Sequence, residues 1–239
     1  MGHNQPETAL QIPADANAEA LADGVNAVKA KILDIDQLVG RLRSMEPELS
    51  PRASEIVACA QSLLVSGGYN GFSYADISDA VRISKASIHH HFPSKAELVQ
   101  SVVRRYREEA RNGMAALENT IVDPLAQLQA YTGYWETCIR DGSSSFCICA
   151  MLAAELTVIP EPVADEIRGH FRDLAAWLAS VLERGVAKGV FHLRADPESE
   201  AMSLMATVHG AMLSARAYGD PKVFATIVQA GLGQLTRPA

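Results

Sequence analysis

Leu21, Val25, Val28, Ile32, Ile35, Val39 and Leu42 follow one another at spacings alternating between four and three. Three heptads of this kind predict an amphipathic helix over about residues 18–44, able either to form a coiled-coil seam or to pack on its own domain. The helical period continues down the chain. Ile56, Cys59, Ala60, Leu63 and Leu64 share one face of a helix over 52–66, which Gly67-Gly68 ends. Further apolar faces predict helices near 124–140, 146–158, 162–188, 197–218 and 221–235. Their starts are marked by Asp123-Pro124, Pro160-Glu161-Pro162, Asp196-Pro197 and Asp220-Pro221, prolines that suit a first helical turn. No stretch sustains alternation of period two between turn signals, so the pattern predicts no strands. The fold class is all-α.

Three helix starts crowd into the middle of the chain. Ser73 stands before a short run with Asp76 in its first turn, Ser84 before the run Lys85 to His91, and Ser94 three residues ahead of Glu97. Each is an N-cap signal, the last a capping box. Two short helices joined by a tight turn make the helix-turn-helix arrangement. The longer helix after them shows Leu98, Val102, Tyr106, Ala110 and Leu117 on its buried side.

Charge sharpens this picture. The chain carries a net charge of −7, yet residues 51–112 hold eight basic side chains against six acidic ones. Such asymmetry points to a nucleic-acid module joined to an acidic partner domain. The opening MGHNQPETALQ lacks a basic stretch followed by an apolar run, and the longest apolar stretch, Phe146 to Ile159, contains Glu155 and is too short to span a bilayer. A cytoplasmic chain with no membrane partner is expected, its four cysteines as reduced thiols.

His89, His90 and His91 are consecutive, and neighbouring side chains on a helix diverge by about 100°, so no metal site is expected. The segment around them explains them better. Ser73 to Leu98, SYADISDAVRISKASIHHHFPSKAEL, resembles the DNA-binding domain of TetR-family transcriptional regulators. Ser73, Ile77, Ser84, Ile88, Phe92, Lys95 and Leu98 fall into register with the family pattern, and the aromatic-turn-lysine ending is its specific part. Two positions depart from it: Arg82 stands where the family has a turn glycine, and His89 where it has tyrosine. The resemblance implies a helix-turn-helix DNA-binding domain at 51–98 and a helical effector-binding and dimerisation domain at 99–239, with 1–50 as an N-terminal extension. The implied partners are double-stranded DNA bearing a palindromic operator, a small-molecule effector and a second copy of the chain.

Chemistry assigns roles within that frame. Lys85, Ala86 and Ser87 are short or basic at the start of the recognition helix, where Lys85 suits a guanine edge and Ala86 a thymine methyl. His89 and His90 are expected at the DNA as well. Ser73, Tyr74, His90 and Lys95 suit phosphates, Ser84 caps the recognition helix, and Arg82 adds positive charge beside it. Arg104, Arg105, Arg107 and Arg111 read as a solvated face.

In the second half, Tyr131, Tyr134 and Trp135 gather on one predicted helix, and Cys147, Met151 and Glu155 recur at four-residue spacing on the next. An aromatic cluster with a few polar groups suits an effector pocket, although plain core reads equally from the same residues. On a helix the sulfurs of Cys147 and Cys149 point about 200° apart, which disfavours a shared metal or a disulfide. Two readings remain: buried structural thiols, or one reactive thiol sensing an electrophile or oxidant. The stretch from Phe146 to Phe171 loosely resembles TetR-family regulators of electrophile and acrylate metabolism. Ala201, Leu204, Met205, Val208, Met212 and Ala215, with Ile167, Phe171, Leu174, Leu178 and Leu182, are expected to form a dimer interface or else intramolecular core. No acid–base pair, phosphate loop or cofactor motif supports a helical enzyme, and an adaptor acting through the N-terminal heptads is the other alternative to a regulator.

Overall fold

The serines and aspartates that stand before helical runs accept backbone hydrogen bonds there. In the structure, a computed structural model that describes residues 49–236, Ser50 Oγ accepts from the Ala53 N–H at 3.3 Å and opens α1, Pro51–Gly67. Ser73 and Asp76 cap each other reciprocally at the start of α2, Tyr74–Val81. Ser84 accepts from Ser87 N–H at 3.2 Å to open α3, Lys85–His91, and Ser94 from Glu97 N–H at 3.2 Å to open α4, Lys95–Thr120. Asp123 begins α5, Pro124–Asp141, by accepting from Ala126 N–H at 2.7 Å. Next come α6, Ile148–Ala153, and α7, Glu161–Ala187. Asp196 caps α8, Pro197–Tyr218, and α9, Lys222–Leu235, ends the described chain. Side-chain caps of this kind are worth about 1 kcal/mol each. The described residues contain helices and no strand.

The element predicted over 146–158 is shorter. It leaves the α-helix after Ala153 and continues as turns, Glu155 N–H to Leu152 O at 2.9 Å and Val158 N–H to Glu155 O at 2.9 Å. That change in direction aims the Glu155 carboxylate at the loop after α1. The heptad helix predicted for 18–44 lies outside the described residues.

Two packed regions share α4. Its first turns, with α1, α2 and α3, enclose Ile56, Ala60, Leu64, Phe72, Ile77, Ile88, Phe92, Leu98 and Val102, all buried. Its remaining length lies along α7, which also packs against α5 and α8, while α8 packs against α9. The arginines of α4 are not all solvated: Arg104 pairs with Glu166 at 3.0 Å, and Arg107 with Asp173 at 2.6 Å and Glu166 at 3.2 Å. These pairs hold α4 to α7. Because α4 runs unbroken through residue 98, the head and the body are joined by a rigid rod rather than a linker.

The apolar stripe considered for a dimer interface is instead core of the single chain. Ala201, Leu204, Val208, Met212 and Ala215 are buried within the protomer, as are Ile167, Leu174, Leu178 and Leu182. The partner of that stripe is the chain's own neighbouring helices.

Candidate DNA interface and buried thiol site

The recognition helix is held by one side chain and presents the others. Ile88 of α3 is fully buried in the head, while Lys85, Ala86, His89 and His90 are exposed and Ser87 is half-buried. The turn before it passes through Arg82 at φ 56° and ψ 50°, the one non-glycine residue among those described with a positive φ. Arg82 thus takes the left-handed conformation that a glycine would adopt at lower cost, and its N–H donates to Ser78 O. Ser78 Oγ in turn donates to Ile83 O at 2.6 Å, tying the turn together.

Several residues assigned to phosphates have partners inside the head. The Ser73 hydroxyl donates to Asp76 Oδ2 at 2.8 Å, and the Tyr74 hydroxyl donates to Phe92 O at 2.8 Å. Burial, with Glu97 and Tyr69 nearby, pushes the Tyr74 phenol up to about 12, so it stays a donor at neutral pH. Its ring lies edge-on to His89 at 4.8 Å, and His89 Nδ1 contacts Pro93 O at 3.2 Å. His90 and His91 meet edge-on at 5.4 Å, a ring contact rather than a converging metal site.

Lys95 is more committed still. Its ammonium donates to Phe72 O and lies over two rings, 5.0 Å from the centroid of Tyr69 and 4.2 Å from that of Phe72. Burial lowers its pKa, against the pull of Asp76 and Glu155. The lysine therefore clamps the α1–α2 loop to the start of α4. Lys95→Ala is expected to destabilise the protein by about 2 kcal/mol, the loss of a charged hydrogen bond and cation–π contacts. DNA binding should weaken for operator and scrambled sequence alike. Melting without DNA is the decisive reading: an unchanged midpoint combined with a flatter salt dependence would make Lys95 a phosphate contact and nothing more.

The second site is buried where five helices meet. Cys147 is the N-cap of α6 at φ −66° and ψ 121°, and it is completely buried. Its Sγ lies 3.8 Å from Nε2 of His170, a buried residue of α7. His209 of α8 and Cys149 also hydrogen-bond the sulfur. Tyr106 of α4 packs against His170 at 5.3 Å, and Phe171 against His209 at 5.3 Å. Burial alone raises the Cys147 thiol, but hydrogen bonds from Cys149, His170 and His209 outweigh it and hold the thiol well below its ordinary value. Burial and the neighbouring Cys147 push Cys149 the other way. Because Cys147 sits at the cap rather than inside the helix, its sulfur reaches Cys149 despite the divergence expected of two helical positions. All four cysteines are free.

The expected lining is brought together in part. Tyr131 belongs here: burial and the nearby Cys147 raise its phenol, and the Trp135 indole hydrogen-bonds it. Trp135 is buried beside it, whereas Tyr134 is exposed at 43% and touches Trp135 edge-on. Met151 is half-buried, its N–H donating to Cys147 O at 3.0 Å. Glu155 is elsewhere, because both its carboxylate oxygens accept from the Tyr69 N–H, at 3.1 and 3.2 Å. His170, His209 and Trp177 escaped sequence reading, and Tyr106 was placed on a buried helix face but not at this site. The available signal was His170 itself, three residues after Ile167 and four before Leu174, a polar residue on an apolar stripe that reading had assigned to Phe171.

Residues 56–102 match the profile of bacterial regulatory proteins of the tetR family, and residues 124–230 match a tetracyclin repressor-like C-terminal domain. A TetR-family transcriptional regulator from Agrobacterium tumefaciens is 54% identical in sequence, with a TM-score of 0.76 over 78% of this chain and 98% of that one. The chain belongs to the TetR family of transcriptional regulators. Another TetR-family regulator, from Legionella pneumophila, is 25% identical with a TM-score of 0.71, over 79% of this chain and 99% of that one. The transcriptional repressor KstR2 of Rhodococcus jostii is 27% identical over 150 residues, 62% of this chain and 72% of that protein. The helix-turn-helix is thus the DNA-binding head of a TetR-family regulator, and α4 to α9 include its C-terminal domain. Among the described residues no helix is long and apolar enough to cross a membrane.

Proposed function

We propose that this protein is a repressor that binds a palindromic operator as a homodimer through α3 and lets go when a small molecule occupies the pocket around Cys147. The observation that carries the DNA side is the face of α3: Lys85, Ala86, His89 and His90 exposed together while Ile88 anchors the helix from behind. Arg82 and Ser84 flank the start of that face, so basic charge and free backbone donors stand where a groove would be read. Residues 51–98 serve as the DNA-binding part and 99–239 as the effector and dimer part, with α4 common to both.

The release side rests on how the pocket segment touches the head. Phe146, next to Cys147, lies under the Arg216 guanidinium at 5.9 Å, and Arg216 donates to Val65 O and Ser66 O at 3.3 and 3.4 Å at the end of α1. At the other end of the same segment, Glu155 holds Tyr69. Occupancy of the pocket therefore acts on the α1–α2 corner from two sides. For the dimer, the outer side of α8 offers Met202 and Leu213, exposed at 54% and 59%, with Ala206, Gly210 and Ala217 between and beyond them. Small residues between exposed apolar ones allow two helices to approach closely across a two-fold axis.

A gel-shift on the DNA upstream of the protein's own gene tests this reading: retention of one fragment over competitor supports it, and no retention at low salt rejects it. Lys85→Ala is expected to cost about 1–3 kcal/mol of operator affinity and to relax preference at one position of each half-site. Selection of bound sequences from a random pool shows whether that one position alone loses its information content.

A further inference from the structure

His89 of α3 has its ring held on two sides. Its Nδ1 lies 3.2 Å from Pro93 O, and the ring stands edge-on to Tyr74 at 4.8 Å. Tyr74 is itself anchored, because its hydroxyl donates to Phe92 O at 2.8 Å. The next histidine, His90, meets the ring of His91 instead. A carbonyl oxygen only accepts, so the contact with Pro93 O places the imidazole hydrogen on Nδ1. In the uncharged ring Nε2 is then an acceptor, a lone pair with no hydrogen of its own. His89 is exposed, one turn beyond the exposed Lys85 and on the same side of α3. That face therefore carries a donor at Lys85 and an oriented acceptor one turn further on.

We propose that His89 determines specificity at one base pair of each half-site, its Nε2 accepting from the exocyclic amino group of an adenine or a cytosine in the major groove. This rests on the reading of α3 as the helix that enters the groove, and it names what that helix recognises one turn beyond Lys85. The phosphate oxygens of the backbone are acceptors as well, so a lone pair directed at them finds no hydrogen. In the major groove the donors are adenine N6 and cytosine N4, whereas guanine presents O6 and N7 and thymine presents O4. Nε2 therefore favours the strand position that holds an amino group and disfavours guanine and thymine there. Lys85, a donor only, suits the opposite pattern, so the two residues read different bases. A ring already held by Pro93 O and Tyr74 loses little freedom on binding, and it cannot turn its other nitrogen to the DNA without giving up the Pro93 contact.

Two measurements at about pH 8, the upper end of the range in which histidines change charge, test this. In the free full-length protein, the imidazole nitrogen resonances of His89 should show hydrogen on Nδ1 and none on Nε2. Hydrogen on Nε2 overturns the proposal. Duplexes are then selected by the same protein from a random pool. One column of each half-site is expected to hold adenine or cytosine, and the base enriched there says which amino group is bound. In the selected duplex that base is replaced by its analogue without the amino group, purine for adenine or pyrimidinone for cytosine. Binding should fall by about 2- to 10-fold, the range of one hydrogen bond, relative to the same replacement at a pair outside the site. His89→Phe keeps a ring against Tyr74; it should bind both duplexes alike and lose the preference in that column alone. Equal binding of the two duplexes by the parent overturns the proposal, and this arm needs no variant. So does a His89→Phe protein that still selects the same base, or one that loses affinity for every sequence with its preferences intact. A pool from which nothing is enriched overturns the reading of α3 and the base contact with it, whatever the state of the ring.

Discussion

Gly71→Ala is expected to destabilise the protein by about 3 kcal/mol or more, the upper end of the cost of forcing volume into a packed site. A β-carbon on Gly71 would stand 2.2 Å from Gly67 O, 2.5 Å from its carbonyl carbon and 2.6 Å from its Cα. These are backbone atoms, so no rotamer change relieves the clash. The loop would have to open at the end of α1, where Gly68 N–H donates to Leu64 O at 2.9 Å and Gly71 N–H to Gly68 O at 3.3 Å. That loop carries Phe72 into the head core and offers Phe72 O to Lys95. The damage therefore spreads to the seat of α2 and α4, and operator binding should fall with it. Denaturant unfolding of parent and variant measures the loss; coincident unfolding curves would show that the corner yields at no cost.

Glu155→Ala is the second large effect, expected at about 1–3 kcal/mol, the cost of leaving a partly buried N–H without its acceptor. Gly68 explains how the contact arises. With φ at 72° and no side chain, it lets the carboxylate come so near that a β-carbon there would lie 1.8 Å from Glu155 Oε1. Removing the carboxylate frees the Tyr69 N–H and takes a counter-charge from Lys95. Amide exchange at Tyr69 should accelerate by about 10-fold or more, as a loss of about 1.4 kcal/mol in local stability requires. Glu155→Gln keeps a carbonyl acceptor and should stay much nearer the parent. Equal exchange in the alanine variant would mean that the junction between head and body lies elsewhere.

Much of the architecture was legible because its signals are local. Ser73, Ser84, Ser94, Asp123 and Asp196 act on backbone groups two or three residues away, so the starts they predict agree with the structure. The run from Ser73 to Leu98 was equally readable, since its register repeats a family pattern. What escaped depends on distant partners. Nothing near Glu155 in the sequence reveals a contact 86 residues away at Tyr69. The same holds for Cys147, whose environment is made by His170 and His209 on two other helices. The apolar stripe of α8 shows that a helix has something to bury, but not whether its own chain or a second copy covers it.

The length of α4 converts small motions into large ones. Its 26 residues span about 39 Å at about 1.5 Å per residue. A tilt of about 5° about the far end sweeps the head end through roughly 3 Å, close to the rise of about 3.4 Å between successive base pairs. In a symmetric pair the two sweeps are opposed and their effect on the separation of the reading heads doubles. On the proposed reading, a ligand therefore has no need to reshape the helix-turn-helix. A displacement of about 2 Å at Tyr106, nearly doubled along a stiff rod, would put the two unchanged heads of the proposed dimer out of step with the pitch of the duplex.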